Sequence, residues 1–230
     1  MTRMAPVRYT RRRQARRTSG ALLAALGACA LVAALALVLG ALAPTAAPAA
    51  SGGSGEPATS DARGDWRLGS VPRLYQTDPA WADEPYAGGT VRENGCGPTC
   101  LSMVYVALTG RDDLDPAGMA AFSERGGYVS DGMTTWSLMT DGAAELGLDS
   151  EELPADEGTV RDALAAGRPV ICSVRPGDFT TTGHFIVLAG IAEDGSVIVR
   201  DPNSAERTAR TWDLQRVIDQ CANLWAFSVA

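Results

Sequence analysis

Two patterns of apolar and polar positions divide the chain. Between residues 98 and 167 the apolar stretches carry helix punctuation. Pro98 to Leu108 is stopped by Gly110, and Pro116 to Arg125 starts behind Asp115 and is stopped by Gly126; Thr135 to Leu146 ends at Gly147, and Val160 to Ala166 at Gly167. From Pro169 the period changes. Pro169–Arg175, His184–Gly190 and Ser196–Arg200 predict strands, the last two joined through Asp194-Gly195, and Leu224–Val229 predicts a final strand. Helices first and an antiparallel sheet after predict an α+β domain.

Ahead of that domain the pattern has no periodicity. Gly20 to Ala43 is an unbroken run of 24 residues containing only Ala, Leu, Val, Gly and Cys29. At 1.5 Å per residue it is long enough to cross a hydrocarbon core, and the arginines before it orient it with residues 1–19 inside and the remainder outside. It reads as a signal peptide or a signal-anchor helix. Signal-peptide apolar regions usually span only about 7–15 residues, whereas Ala47-Pro48-Ala49 is an acceptable cleavage site. Cys29 is not read as a lipidation site, because the chain after it stays apolar, and the residues after Arg13 and Arg17 do not continue a twin-arginine pattern. Residues 44–65 have no aromatic residue before the domain and no apolar one larger than alanine, so they read as a disordered linker. The remaining 165 residues, 66–230, suit one domain with one core.

Charge sharpens this division. The formal net charge of −7 averages two opposite regions, because residues 1–19 hold seven of the 20 basic residues and no acid. The rest has 13 basic residues against 27 acidic ones, a net of −14. Such a body repels phosphate backbones, which argues against a nucleic-acid partner. The membrane enters only through the N-terminal apolar segment, so the domain is expected to be secreted or anchored outside the cell.

Candidate chemistry centres on Asn94-Gly95-Cys96-Gly97-Pro98-Thr99-Cys100. Glycines on both sides of Cys96 leave space around its sulfur, and the helix predicted to begin here would favour its thiolate through unpaired N–H groups and the helix dipole. Cys100, one turn on, faces the helix body. A thiolate nucleophile needs a proton-transfer partner, and the chain has one histidine, His184, at the mouth of an apolar strand. Asp201, after the neighbouring strand, is placed to orient the ring. With a two-residue tip at Asp194-Gly195, position 184 pairs with 205, so Asp201 shares the face of His184 but lies four residues away. A bulge, a longer loop or strong twist is needed to bring the two together. Gln76 supplies a side-chain amide that, beside the Cys96 backbone N–H, makes an oxyanion hole.

These pieces together, Val71-Pro72-x-x-Tyr75-Gln76-x-Asp78-Pro79-x-Trp81, Gly95-Cys96-Gly97-Pro98-Thr99, Gly183-His184-Phe185-x-Val187-x-x-Gly190 and Asp201-Pro202, resemble the C39-like cysteine peptidase family. The resemblance covers about residues 71–228 and includes Gly132-Met133-Thr134-Thr135-Trp136 as the start of a middle helix. It implies a papain-like cysteine peptidase fold, with Cys96 as nucleophile, His184 as general base and acid, Asp201 as its orienting partner and Gln76 as oxyanion donor. It implies no cofactor and a peptide or protein substrate. Cys100 departs from the pattern, because relatives often carry a small residue or serine there. No transporter is attached, so double-glycine leader substrates are not assumed.

The leading expectation is an exported thiol hydrolase of peptide or amide bonds. The same triad acting on cell-wall peptide, or in acyl transfer, is a second reading, and a catalytically idle peptide-binding groove is a third. A zinc site from Cys96, Cys100, Cys172 and His184 would leave the glycine frame and the Gln76 segment without purpose. With Cys96 free, Cys100, Cys172 and Cys221 allow at most one disulfide.

Overall fold

The computed structural model describes residues 58–230. The basic segment 1–19, the apolar run 20–43 and most of the linker 44–65 lie outside the described residues. Residues 58–65, read as the end of that linker, are bonded to the domain. The Ser60 N–H donates to Asp78 at 2.7 Å, Asp61 accepts from Arg73, and Arg63 reaches Asp115. Among the described residues no helix is long and apolar enough to cross a membrane.

The architecture is helices packed with a six-stranded antiparallel sheet. The strands are β5 (Leu148–Glu152), β6 (Val170–Val174), β7 (His184–Ile191), β8 (Val197–Arg200), β9 (Thr211–Trp212) and β10 (Cys221–Val229), in the order β5-β10-β6-β7-β8-β9. Two short hairpins, β1 (Pro85–Tyr86) with β2 (Gly89–Thr90) and β3 (Val129–Ser130) with β4 (Met133–Thr134), stand apart from it. Apolar side chains alternate between the two faces of the sheet, as strand geometry requires. Ile171, Val187, Trp225 and Phe227 join one core cluster, and Cys172, Ile186, Leu188 and Ala226 join the other.

The helices are α1 (Val91–Asn94), α2 (Cys96–Thr109), α3 (Pro116–Arg125), α4 (Asp141–Glu145), α5 (Glu157–Ala165), α6 (Ala205–Thr208) and α7 (Leu214–Ile218). α2 is the spine of the molecule. Every residue from Gly97 to Ala107 is buried, which matches a helix apolar on all sides, and it packs on β7 and α3. Gly110 ends it in the left-handed conformation at φ 70°. α3 begins where predicted, with the Asp115 carboxylate accepting from the Gly118 N–H, and α5 begins at Asp156, which caps Thr159.

The continuous helix predicted from Thr135 to Leu146 does not form. Residues 129–134 make the β3–β4 hairpin, Trp136–Met139 form a 3-10 turn, and Thr140 at φ −112°, ψ −80° separates it from α4. At the break the Thr140 hydroxyl donates to the Ser137 carbonyl at 3.4 Å, a local side-chain-to-backbone bond of the kind that competes with helix. β5 escaped prediction for a different reason. Its sequence Leu-Asp-Ser-Glu-Glu does not alternate, because it is an edge strand, where exposed charge blocks further pairing.

Candidate active site

Cys96 is the first residue of α2, and the backbone around it accounts for both flanking glycines. Gly95 closes α1 through its N–H to the Val91 carbonyl at 2.8 Å, and a Cβ on Gly95 would lie 2.5 Å from that carbonyl oxygen. A Cβ on Gly97 would lie 2.7 Å from Thr134 of the β3–β4 hairpin. The glycines therefore permit close approach of neighbouring chain rather than merely clearing room for the sulfur. The Thr134 hydroxyl is in turn bonded to Tyr86 at 2.7 Å, and Tyr86 to Ser123 at 3.0 Å, which anchors the hairpin beside the thiol.

His184 opens β7, its ring buried, with Nε2 2.8 Å from Asp201 Oδ1. The register that brings these residues together departs twice from a two-residue tip. The connection is a three-residue turn, Glu193-Asp194-Gly195, with the Ala192 N–H bonded to the Ser196 carbonyl and Gly195 at φ 83°. The second departure is a bulge at Ala189, between the pairs Leu188↔Val199 and Gly190↔Ile198. Together they set Val187 opposite Arg200, so Asp201 falls diagonally across from His184 on the same face. The four-residue separation expected from the sequence is cut to two by these two irregularities.

Cys96 lies beside the same ring. Burial pushes its thiol pKa up, but a hydrogen bond to His184, the imidazolium charge, and the N–H groups of Phe185 and Gly97 outweigh burial and hold it below the ordinary value. Burial likewise lowers the His184 pKa, yet hydrogen bonds to Asp201 and Cys96 reverse the direction and lift it to about 9. Both shifts act in the direction that favours a thiolate–imidazolium pair. Cys100, Cys172 and Cys221 are buried and free, and burial drives the Cys100 and Cys172 thiols well above the ordinary range.

Asp201 has more partners than the sequence suggested. Besides His184, its carboxylate accepts from the Asn203 N–H at 2.8 Å and from Arg207 Nε, and its own N–H donates to Thr208 Oγ1 at 2.9 Å. Burial raises its pKa, but His184 and Arg207 outweigh that and keep it ionised. Arg207 and Thr208 sit on α6, one turn after the Asp-Pro-Asn stretch. No sequence motif marked them; the only signal was Ser204, whose hydroxyl caps this turn by accepting from the Arg207 N–H.

Gln76 is buried on a turn clamped at several points. Its N–H donates to the Pro202 carbonyl at 2.8 Å, Trp81 Nε1 holds the Tyr75 carbonyl at 2.7 Å, and Asp78 accepts from Ala80 and Ser60. The Gln76 amide Nε2 donates to the Arg92 carbonyl at 2.7 Å, which ties it to the helix immediately before Cys96. Among the described residues Gln76 makes no hydrogen bond to Cys96, and its Oε1 has no partner. The structure thus joins Cys96, His184 and Asp201 in one chain of contacts and sets Gln76 on the adjoining turn. No group of three or more His, Cys, Asp or Glu able to hold a metal ion occurs among the described residues.

The model of the Peptidase_C39 like family matches residues 69–227. No curated protein matches. Among solved structures, the peptidase domain of Streptococcus ComA, a bi-functional ABC transporter involved in a quorum sensing pathway, is similar with a TM-score of 0.43 and 21% identity, over 60% of this chain and 92% of that one.

Proposed function

The chain belongs to the Peptidase_C39 like family, and from that premise we propose that it is an exported cysteine peptidase of papain-like fold, with Cys96, His184 and Asp201 as its triad and Gln76 as oxyanion donor. The observation that carries this reading is the buried His184, held at 2.8 Å by Asp201 and adjoining the Cys96 thiol at the start of α2.

The Cys96 thiolate attacks the scissile carbonyl carbon, and the electron pair moves onto the carbonyl oxygen. The backbone N–H of Cys96 and the Gln76 amide stabilise that oxyanion, the amide giving up its long 3.5 Å contact with the Val91 carbonyl to do so. When the tetrahedral adduct collapses, the His184 imidazolium donates its proton to the departing amine, leaving an acyl-enzyme and neutral imidazole. Water then attacks the thioester as His184 takes its proton, and release of the acid restores the ion pair. Asp201 keeps the ring oriented and stabilises its charged form throughout.

Peptide-library cleavage by the full chain, with Cys96→Ala as control, tests the reading. Hydrolysis by the wild type and none by the variant is expected. Iodoacetamide should label Cys96 well before Cys100, Cys172 and Cys221, because only Cys96 combines partial exposure with a depressed pKa. Intact peptides after incubation with both proteins would assign the groove to peptide binding alone.

A further inference from the structure

A second site adjoins the first without belonging to it. Arg73, Tyr75, Arg200, Ala205, Thr208 and Ala209 line a cavity of about 390 Å³. Two of these residues directly precede members of the catalytic cluster: Tyr75 is followed by Gln76, and Arg200 by Asp201. Thr208 is shared, its hydroxyl accepting from the Asp201 N–H at 2.9 Å.

The charge in this cavity is unbalanced. Arg73 is already matched, its guanidinium held by Asp61, with Nε at 2.9 Å. Arg200 is not. It is half-buried, its Nε reaches only the Val71 carbonyl at 3.3 Å, and among the described residues no carboxylate pairs with its two terminal nitrogens. Burial, and then the charge of Arg73, lower its pKa, and the Asp61 carboxylate, bonded to Arg73, offsets only part of this, so that one carboxylate serves two guanidiniums. A guanidinium held in a partly desolvated cavity beside a second one, within an acidic domain, is a costly arrangement unless an anion completes it. The terminal nitrogens of a guanidinium match two oxygens of a carboxylate or phosphate, and the Tyr75 hydroxyl adds another donor at the same wall.

We propose that this cavity binds a small oxyanion, a carboxylate or a phosphate, through Arg200 with Arg73 and Tyr75. The site does not depend on Cys96 being a nucleophile, so it stands or falls separately from the peptidase reading.

The test is thermal denaturation and calorimetric titration of the full chain, using inorganic phosphate and succinate as probes against chloride at equal ionic strength. At a probe concentration tenfold above Kd, a rise in Tm of roughly 3–6 °C is expected, with one site per chain. Phosphate and succinate both acting would identify general oxyanion recognition, and one acting alone would name the chemistry preferred. Arg200→Gln should abolish the response. Ala209→Glu, at an exposed position on the cavity wall, should also abolish it by supplying a built-in carboxylate, and it decides the matter if Arg200→Gln does not fold. Cys96→Ala should respond like the wild type. No shift with either probe, or equal shifts in wild type and Ala209→Glu, overturns the proposal.

Discussion

At the scale of single residues, the Cys96–His184–Asp201 cluster is governed by how charge is shared across His184 and Asp201. The His184 pKa stands at about 9, above its ordinary 6.5, and Cys96 stands below its ordinary 9.0. Activity that needs the ion pair should therefore follow a bell. It falls on the acid side as the thiolate is protonated, and on the alkaline side with an apparent pKa near 9 as the imidazolium is lost. A kcat/KM profile with no alkaline limb would contradict this. The same shifts set stability. The His184 contribution is full below about pH 6.5 and lost as pH climbs through about 9, whereas that of Asp201 is present above about pH 3.8 and lost as pH falls through its depressed value. Arg207 is a positioning residue in this network, acting on His184 through Asp201. Arg207→Gln should cost about 1.5–3 kcal/mol, since a hydrogen bond to a buried carboxylate is lost. It should also move the alkaline limb above 9, because Asp201 would then present its full charge to His184. A purely structural Arg207 would lower Tm and leave the limb in place. Cys96, His184 and Asp201 were legible in the sequence because each stands in a short motif and the histidine is the only one in the chain. Arg207 was not, because its partner lies six residues back and only the three-dimensional turn joins them.

At the scale of elements, α2 and the β6–β7–β8 strands were readable from periodicity, while the features that align them were not. A bulge at Ala189 and a turn one residue longer than the two-residue tip leave no distinct apolar pattern, yet they carry Asp201 from four residues away to the diagonal of His184. Side-chain parity survives such shifts in steps of two, which is why the shared face was predictable and the distance was not. The α1–α2 junction makes a comparable demand on the backbone. Gly95 has no room for a side chain, since its Cβ would sit 2.5 Å from the Val91 carbonyl oxygen and 2.7 Å from Val91 Cγ1. Because the first contact is backbone, relief requires moving α1 relative to α2. Gly95→Ala is therefore expected to destabilise the fold by about 1–3 kcal/mol, and to displace Cys96 from His184 so that kcat falls more than KM rises. Thermal melting together with steady-state kinetics would check both. A variant with unchanged Tm and normal turnover would mean that the junction is not rigid.

At the scale of the whole molecule, charge is distributed in a way that bears on substrate choice. Residues beyond 19 carry a net of −14, and many of the domain's arginines are neutralised locally, as in Arg73–Asp61, Arg92–Asp83 and Arg216–Asp178. The field around the domain is therefore negative at distances where individual pairs cancel, and such a field concentrates cations and repels anions within about 8–10 Å at physiological salt. Peptides rich in Lys and Arg should be encountered faster than acidic ones of the same scissile sequence. The effect belongs to association, so it should appear in kcat/KM and not in kcat. With matched peptides carrying basic or acidic flanks, the kcat/KM ratio is expected to exceed ten at low ionic strength and to shrink toward unity in 0.5 M salt. Equal values at low salt would show that the groove itself carries a compensating positive charge. The unmatched Arg200 is the residue to examine first, because a substrate carboxylate reaching its cavity would draw acidic peptides against the prevailing field. Arg200→Gln would then widen the preference for basic peptides, whereas a ratio unchanged by that substitution would place the cavity outside the path of the substrate.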